Sequence, residues 1–589
     1  MRVEREGARV RHRSLTVASG QRAEVWLEAG AGRVALHTVQ VNGSGAVYWK
    51  RCSEAGCFGA AIGSSGGCLA HVGKDERERY FHEVLSGSQA LTLQGVEVTE
   101  GLWNELLQYL SSDGNPRRLK PHINCTGAVF CFKIRLSDWS FDGGLGLTGA
   151  VLEDGCEIRQ CNFQGLWLNF VDVTNGPAYF PNCSIGRDLW LSYAHCDKQH
   201  VAFVDCEVHG DVQAEGFVGD LRFEQCRLQG ACHLPKGSFK YLSLAESKVS
   251  KQLNLAGLEA EFMRAPGLEA MTGSVFGPIA VESYCDISGT QFGARVQLTI
   301  SAESLDLRGA TFQRGGRLEV QRALVDLERV ILGAPLTVVG TSAAVKSIRD
   351  ADAGSLSFAH IDMSRCLFYG SYGLRNITLE PTVELRSSPK PFRTRRRCIA
   401  DEYAWRARHS RFRRHDWVIP DTRLTTQAGP GEGSDGAVVL PDLTAAQVSE
   451  VYRSLRKSLE SQSNEPGAAD FYYGEMEMRR KDRELSRSER LVILLYWLTS
   501  GYGLRSLRAL ACLVSVTLIG ALLMLKAGLT GRGHRFVDAL IAAAQSAMPG
   551  VAVSEQLTNW GKAIDLGLTL LGPVFLALAV LALRNRVKR

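Results

Sequence analysis

Four residues near the N-terminus have the types and the closeness in sequence needed to hold a metal. Cys52, Cys57, Cys68 and His71 follow the pattern C-x4-C-x10-C-x2-H, and thiolates with an imidazole are the usual ligands of structural zinc. The first interval departs from the two-residue spacing of the common finger, and the stretch is rich in glycine. The sequence alone therefore favours small residues at the edge of a stacked fold, with no metal and no cofactor. Catalytic patterns do not occur elsewhere: there is no Walker loop, no GxGxxG after a strand, no HExxH and no GxSxG, and the histidines are dispersed. No catalytic residue is assigned, and an enzyme is not expected.

The other candidate residues stand near the C-terminus. Two uncharged apolar runs, 509–525 and 566–583, flank a connecting segment. Each run is about 17 residues, roughly 26 Å of helix at ~1.5 Å per residue. That matches a hydrocarbon core of ~30 Å once flanking side chains reach to the headgroups. The runs read as two membrane spans. Between them, 535–548 is apolar but too short to cross, which suits a re-entrant pore helix or an external amphipathic one. Asp538, Gln545 and Ser546 are its polar members and the candidate pore lining. Gly572 and Pro573, inside the second run, are candidates for a hinge or for a packing kink. Arg479, Arg480, Arg483, Arg505, Arg508, Arg586 and Lys588 are the candidate membrane-surface cations. By the positive-inside rule they place both outer flanks, and everything before 505, in the cytoplasm.

These groups must be positioned by a chain of 589 residues with 45% apolar content and a net charge of +6, ample for two or three folded units. The charge is uneven, with 121–345 net acidic by about seven charges and the rest basic, as suits a basic membrane-facing half carrying a mildly acidic cytoplasmic one. The first fifteen residues carry charge but no apolar h-region, so no cleavable signal peptide is expected. Most of the sixteen cysteines are scattered singly. That pattern predicts free thiols in a reducing compartment.

From about 121 a repeat sets the fold. A small-x-apolar unit recurs as Cys161-Asn-Phe163, Cys183-Ser-Ile185, Cys206-Glu-Val208, Cys226-Arg-Leu228 and Ser247-Lys-Val249, and Asp286-Ile-Ser-Gly-Thr-Gln-Phe292 returns as Asp306-Leu-Arg-Gly-Ala-Thr-Phe312. A period near twenty with short alternating pieces predicts a β-solenoid in which each coil stacks on the last. Ile287, Leu307 and Leu327 should form one interior column. Gly165, Gly210, Gly230, Gly289 and Gly309 should sit at turns. The expected layout is a solenoid start with one short helix over Thr99–Leu110 in 1–120, a mainly β, right-handed solenoid in 121–377 and a basic Pro/Gly-rich linker in 378–443. A helical hairpin and interfacial helix occupy 444–500, and a two-helix transmembrane module occupies 501–589. Within the linker an arginine cluster with Trp405, Phe412 and Trp417 reads as a solvated loop or a lipid contact, with nucleic acid disfavoured. The loop Thr499-Ser-Gly-Tyr-Gly503 precedes the first span and reads as an interfacial elbow with flexible glycines.

The solenoid repeat resembles that of bacterial pentapeptide-repeat proteins. Tyr452-Arg-Ser-Leu-Arg and the following helices, with Tyr496-Trp-Leu-Thr-Ser-Gly-Tyr-Gly503 and the terminal basic run, resemble a group of bacterial membrane proteins that join such repeats to a two-span, ion-channel-like module. The resemblance implies a multi-pass protein of the bacterial inner membrane with most of its chain cytoplasmic, in contact with the lipid bilayer and a cytoplasmic protein ligand. It further implies a homo-oligomer forming a channel-like pore. Ala547-Met-Pro-Gly-Val-Ala-Val553 stands where a potassium filter would be, so the pore is expected to be non-potassium-selective. The other reading is a non-conducting anchor or scaffold.

Overall fold

The computed structural model describes residues 11–12, 22–29, 32–40, 49–86, 90–110, 117–272, 276–389, 396–409, 417, 443–530, 535–548, 550–551 and 557–587. It divides into two compact units, Met1–Ala343 and Ala344–Arg589. A parallel β-solenoid of about 12 turns is followed by helices.

In the first unit an antiparallel pair, Arg22–Ala29 and Gly32–Gln40, precedes a cysteine-rich loop. Helices α1 (Lys74–Ser86) and α2 (Glu100–Leu110) follow. Helix α2 begins where Thr99 places its hydroxyl 3.3 Å from the backbone N–H of Leu102, as a capping residue should. Helix α1 has no clear sequence signal. Its charged run KDERERYFHEV buries only Phe81 and Val84, too few for a recognisable apolar stripe.

The coils stack in register. Phe141 pairs with Phe163, Phe163 with Ile185, Ile185 with Val208 and Val208 with Leu228, all parallel. Because the strands are parallel and in register, each inward side chain meets its equivalent one strand spacing away. Phe141 and Phe163 accordingly stack with centroids 4.9 Å apart, and Phe180, Phe203 and Phe223 stack at 4.7 and 5.1 Å. Ile287, Leu307 and Leu327 are buried in one column, with Ile287 donating to the carbonyl of Asp306 and Leu307 to that of Asp326.

The corners differ from the sequence expectation in an instructive way. Gly289 and Gly309 do turn the chain, at φ of 63° and 69°, but Glu246 and Arg329 take left-handed corners too, at 52° and 55°. The cost to an L-residue is roughly 1–2 kcal/mol, and before Arg329 it is offset by Asp326, which accepts from the backbone N–H of Glu328 at 3.2 Å; the same contact precedes both glycine corners. Asp286 accepts from the backbone N–H of Ser288 and Asp306 from that of Arg308. Gly230 stands at a bend as well, without a left-handed φ. A Cβ there would lie 2.0 Å from the carbonyl oxygen of Gly210, so its role is close approach between coils.

The small residues at the cramped corners do more than fit. Cys206 gives its thiol hydrogen to the carbonyl of Phe180 at 2.9 Å and Cys226 to that of Phe203 at 3.3 Å, while Ser247 Oγ donates to Phe223 O at 3.1 Å and accepts from the N–H of Cys226. Each satisfies backbone groups that the corner would strand. The cysteines of the described residues are free thiols. Burial pushes Cys156 and Cys232 up to about 12, which leaves them protonated and inert.

The second unit opens with further coils, marked by the parallel bridges Ala344↔Asp362, Asp352↔Tyr372 and Asp362↔Glu384. A short antiparallel pair, Arg386–Ser387 with Arg397–Cys398, leads into α3 (Ala400–His409). This ordered structure lies inside the stretch read as linker, because two of its arginines are buried against a carboxylate rather than solvated. Helices α4 (Ala445–Ser461) and α5 (Glu465–Lys481) form the expected hairpin, and Thr444 and Gln447 make a reciprocal capping box. Then come α6 (Arg487–Ser500), α7 (Ser506–Leu523), α8 (Phe536–Ala547) and α9 (Asn559–Val587).

Candidate functional site

Two connected arrangements in the second unit stand out. The first is a chain of buried ion pairs. Glu402, on α3, has no exposed surface; Arg396 meets both its oxygens at 2.7 and 2.6 Å, Arg406 Nε reaches it at 2.6 Å, and the Tyr452 hydroxyl donates to it at 2.5 Å. The same hydroxyl accepts from the backbone N–H of Ile399 at 3.1 Å. Arg406 continues to Glu477 on α5 at 3.4 Å, and Glu477 also takes Arg480 at 3.0 Å and the hydroxyl of Tyr502 at 3.4 Å. Burial alone would raise the Glu402 carboxyl, but Arg396 and Arg406 outweigh it and hold it down at about 2.

The chain is anchored at both ends. Towards the coils, buried Asp401 accepts from the backbone N–H groups of Phe368 at 3.0 Å and Tyr369 at 2.9 Å, and Gln462 brackets Ile377 and Leu379. Burial pushes Asp401 up to about 6, against the pull of those two donors. Towards α7, Thr499 and Ser500 are still helical and the chain turns after them at Gly501–Leu504, an elbow close to where the sequence suggests one. Gly501 caps α6 in the left-handed conformation, and Tyr502 is buried and left-handed at φ 60°. Trp497 donates to the Tyr473 hydroxyl at 3.1 Å and lies under both Arg480 and Arg508. The last coils, α3, the α4–α5 hairpin and the elbow thus share one polar core.

The second arrangement is the apolar hairpin. Ser506–Gly528 and Asn559–Ala582 are long and apolar enough to cross a membrane, yet only 22% and 11% of their most apolar windows are buried. A core helix of a soluble protein would be mostly covered. Leu507, Ile519, Leu566, Leu570 and Val580 are all more than half exposed, and so are Leu491, Val492 and Leu498 on α6. Helix α8 lies against both long helices through Ala539, Ala542 and Ala543, which meet Ala521, Met524 and Leu568. Small residues allow this approach. A Cβ on Gly561 would fall 2.1 Å from the carbonyl oxygen of Gly528, and one on Gly572 would fall 2.2 Å from that of Ala547.

The sequence-predicted residues distribute as follows. Asp538 caps α8, accepting from the N–H of Arg535 at 3.0 Å. Gln545 is half-buried, and Ser546 is buried with its hydroxyl on Ala542 O and its carbonyl accepting from Thr569 Oγ1 at 3.2 Å. Gly572 is a packing residue against the end of α8, and Pro573 lies within the unbroken helix α9. Arg479 and Arg483 are exposed, while Arg480 and Arg508 are spent on Trp497 and Arg505 is half-buried. Arg586 lies in the last turn of α9; Lys588, like 428–436, is outside the described residues. The buried pairs of Arg396, Glu402 and Arg406 were not anticipated, although Glu402 and Arg406 at i and i+4 beside basic neighbours carried a faint signal. The chain was compared with protein-family models, curated proteins and solved structures, and none of them matches it.

Proposed function

We propose that this is a membrane-anchored interaction protein whose two long apolar helices span a bilayer and whose α8 enters it as a half-helix, several copies together enclosing a non-potassium-selective pore. One observation carries the reading. The carbonyl end of α8 meets Gly572, inside the apolar run of α9, whereas Gly528 meets Gly561 near that helix's start. Counted from Leu566, where the uncharged run begins, Gly572 lies about six residues or about 9 Å into a ~30 Å hydrocarbon core. Helix α8 therefore ends about a third of the way into the hydrocarbon, followed by irregular backbone with Gly550 at φ 83°. Non-helical backbone at that depth is tolerated only where protein buries it or a water-filled cavity meets it. A helix C-terminus pointing there favours cations.

On this reading the β-solenoid, of the pentapeptide-repeat kind, is the cytoplasmic body that a protein partner engages, and the membrane is a bacterial inner membrane. The junction built on Glu402 would transmit strain from the last coils to the elbow before the first span. A second reading, a non-conducting anchor, is favoured by the outward face of α8, where Val537, Ile541 and Met548 are exposed and apolar while Ser546 is already satisfied.

Reconstitution distinguishes them. Full-length protein in liposomes is expected to crosslink as a defined oligomer and to pass monovalent cations, at a rate changed by Gln545→Leu. Monomeric protein that passes none under any gradient or voltage, with the E402Q variant equally silent, would leave the anchor.

A further inference from the structure

We propose that Cys52, Cys57, Cys68 and His71 form a structural zinc site that closes the N-terminal end of the solenoid. The four residues span twenty positions, yet their ligand atoms all lie within 4.8 Å of one another. Cys57 Sγ is 3.6 Å from Cys68 Sγ, and His71 Nδ1 is 3.5 Å from Cys52 Sγ and 3.3 Å from Cys68 Sγ. Zinc bonds of about 2.3 Å to sulfur and about 2.0–2.1 Å to nitrogen give tetrahedral edges of about 3.8 Å between sulfurs and about 3.6 Å between sulfur and nitrogen. These three distances are close to the edges of a tetrahedron around one ion, and the remaining ones lie within 4.8 Å. They are far beyond a disulfide, whose sulfurs stand about 2.05 Å apart.

The surroundings also suit thiolates. The backbone N–H of Cys68 donates to Cys52 Sγ at 3.2 Å, and that of Gly59 to Cys57 Sγ at 3.4 Å. Such donors support negative charge on sulfur and orient it towards a metal. At Gly59 a Cβ would stand 2.8 Å from Cys68 Cβ, so glycine is what lets the two knuckles close. The contrast with the coil cysteines is sharp, since Cys206 and Cys226 turn their thiols onto backbone carbonyls, whereas Cys52, Cys57 and Cys68 turn theirs onto one another and a histidine.

Four protein ligands leave no open position, so the site is structural rather than catalytic. Its place in the fold gives it work. Ala60 donates to the carbonyl of Gln94, and a Cβ on Gly95 would stand 2.6 Å from the carbonyl oxygen of Phe58, so the loop lies over the first coil. A stacked β fold needs its end covered, and this loop holds few apolar side chains with which to do so. The metal supplies the missing constraint, the three thiol protons leaving to solvent as it binds.

The test uses the full-length chain in detergent. Metal analysis is expected to find about one zinc ion per chain. Replacement by Co2+ should give the intense visible bands of a tetrahedral site with thiolate charge transfer in the near ultraviolet. His71 is exposed, so His71→Cys should keep the fold and the ion and shift those bands as a fourth thiolate enters. Cys57→Ser with Cys68→Ser should lose the ion. Fewer than about 0.1 zinc ions per chain after loading at neutral pH, a pale octahedral Co2+ spectrum, bands unmoved in the His71→Cys variant, or a Cys57–Cys68 disulfide in protein purified without oxidant would each overturn the proposal.

Discussion

Glu402 shows how much one buried carboxylate can organise. It compensates two guanidinium groups, and neither Arg396 nor Arg406 is more than 5% exposed. Removing its charge leaves both cations in a low-dielectric core. Glu402→Gln is expected to cost about 3–5 kcal/mol, the range for breaking a buried pair, read as a lower unfolding temperature of the full-length protein. An unchanged melting curve would mean that other counter-charges serve these arginines. The pH dependence has two parts of opposite sign. Glu402 is held at about 2 in the fold, below its unfolded value, so its stabilisation is present above about 4.5 and is lost as pH falls through 2. Asp401 is raised from 3.8 to about 6, so its contribution is complete below 3.8 and is lost as pH rises through 6. Asp401→Asn should therefore flatten the stability profile between about pH 4 and 6 while leaving the acid limb. A slope there equal to the parent's would assign it to another group.

At the scale of elements, apolar periodicity could be read where one face repeats and could not where charge does the folding. Phe163, Ile185 and Val208 announce their coils because the spacing of inward residues is fixed by the register of parallel strands. The α4 face of Val448, Val451, Tyr452, Leu455 and Leu459 is equally plain. Helices α1 and α3 escape the same rule, since α3 buries Asp401, Glu402 and Arg406, residue types that normally mark a solvated surface. The glycines were legible as a group but not by role. Those at 289 and 309 turn the chain; those at 230, 561 and 572 let backbones touch. The roles separate in experiment. Gly572→Val should push α8 off α9 and destabilise the apolar hairpin by about 1–3 kcal/mol, whereas Gly567→Val, with nothing within 4 Å of its Cβ, should cost less than half as much. Equal effects on thermal unfolding in detergent would indicate that helix propensity, not contact, decides both.

At the scale of the whole molecule, on the proposed reading of two spans, the distribution of cations predicts which side of a bilayer carries the solenoid. Arg479, Arg483, Arg487, Arg490, Arg505 and Arg508 precede the first uncharged run and Arg584 and Arg586 close the second, whereas the connection holds Lys526, Arg532, Arg535 and Lys562 opposed by Asp538, Glu555 and Asp565. Each cation moved off the inner face works against both the membrane potential, about 2.3 kcal/mol per charge per 100 mV, and the attraction of anionic headgroups, about 1 kcal/mol per charge. The arginines spent on Trp497 still count, because a cation–π contact leaves the charge in place. If both helices span as proposed, they return the chain to the side it left, and the solenoid and the C-terminus are expected to share a face with only the connection outside. Cysteines introduced at Thr530 and Lys457, both exposed positions, report this directly against the unsubstituted chain as background. An impermeant maleimide added to intact cells is expected to label the first and not the second. The reverse pattern would place the solenoid outside. Labelling of neither until the membrane is opened would mean that the hairpin does not cross at all, and the half-helix would then lose the depth on which a pore depends.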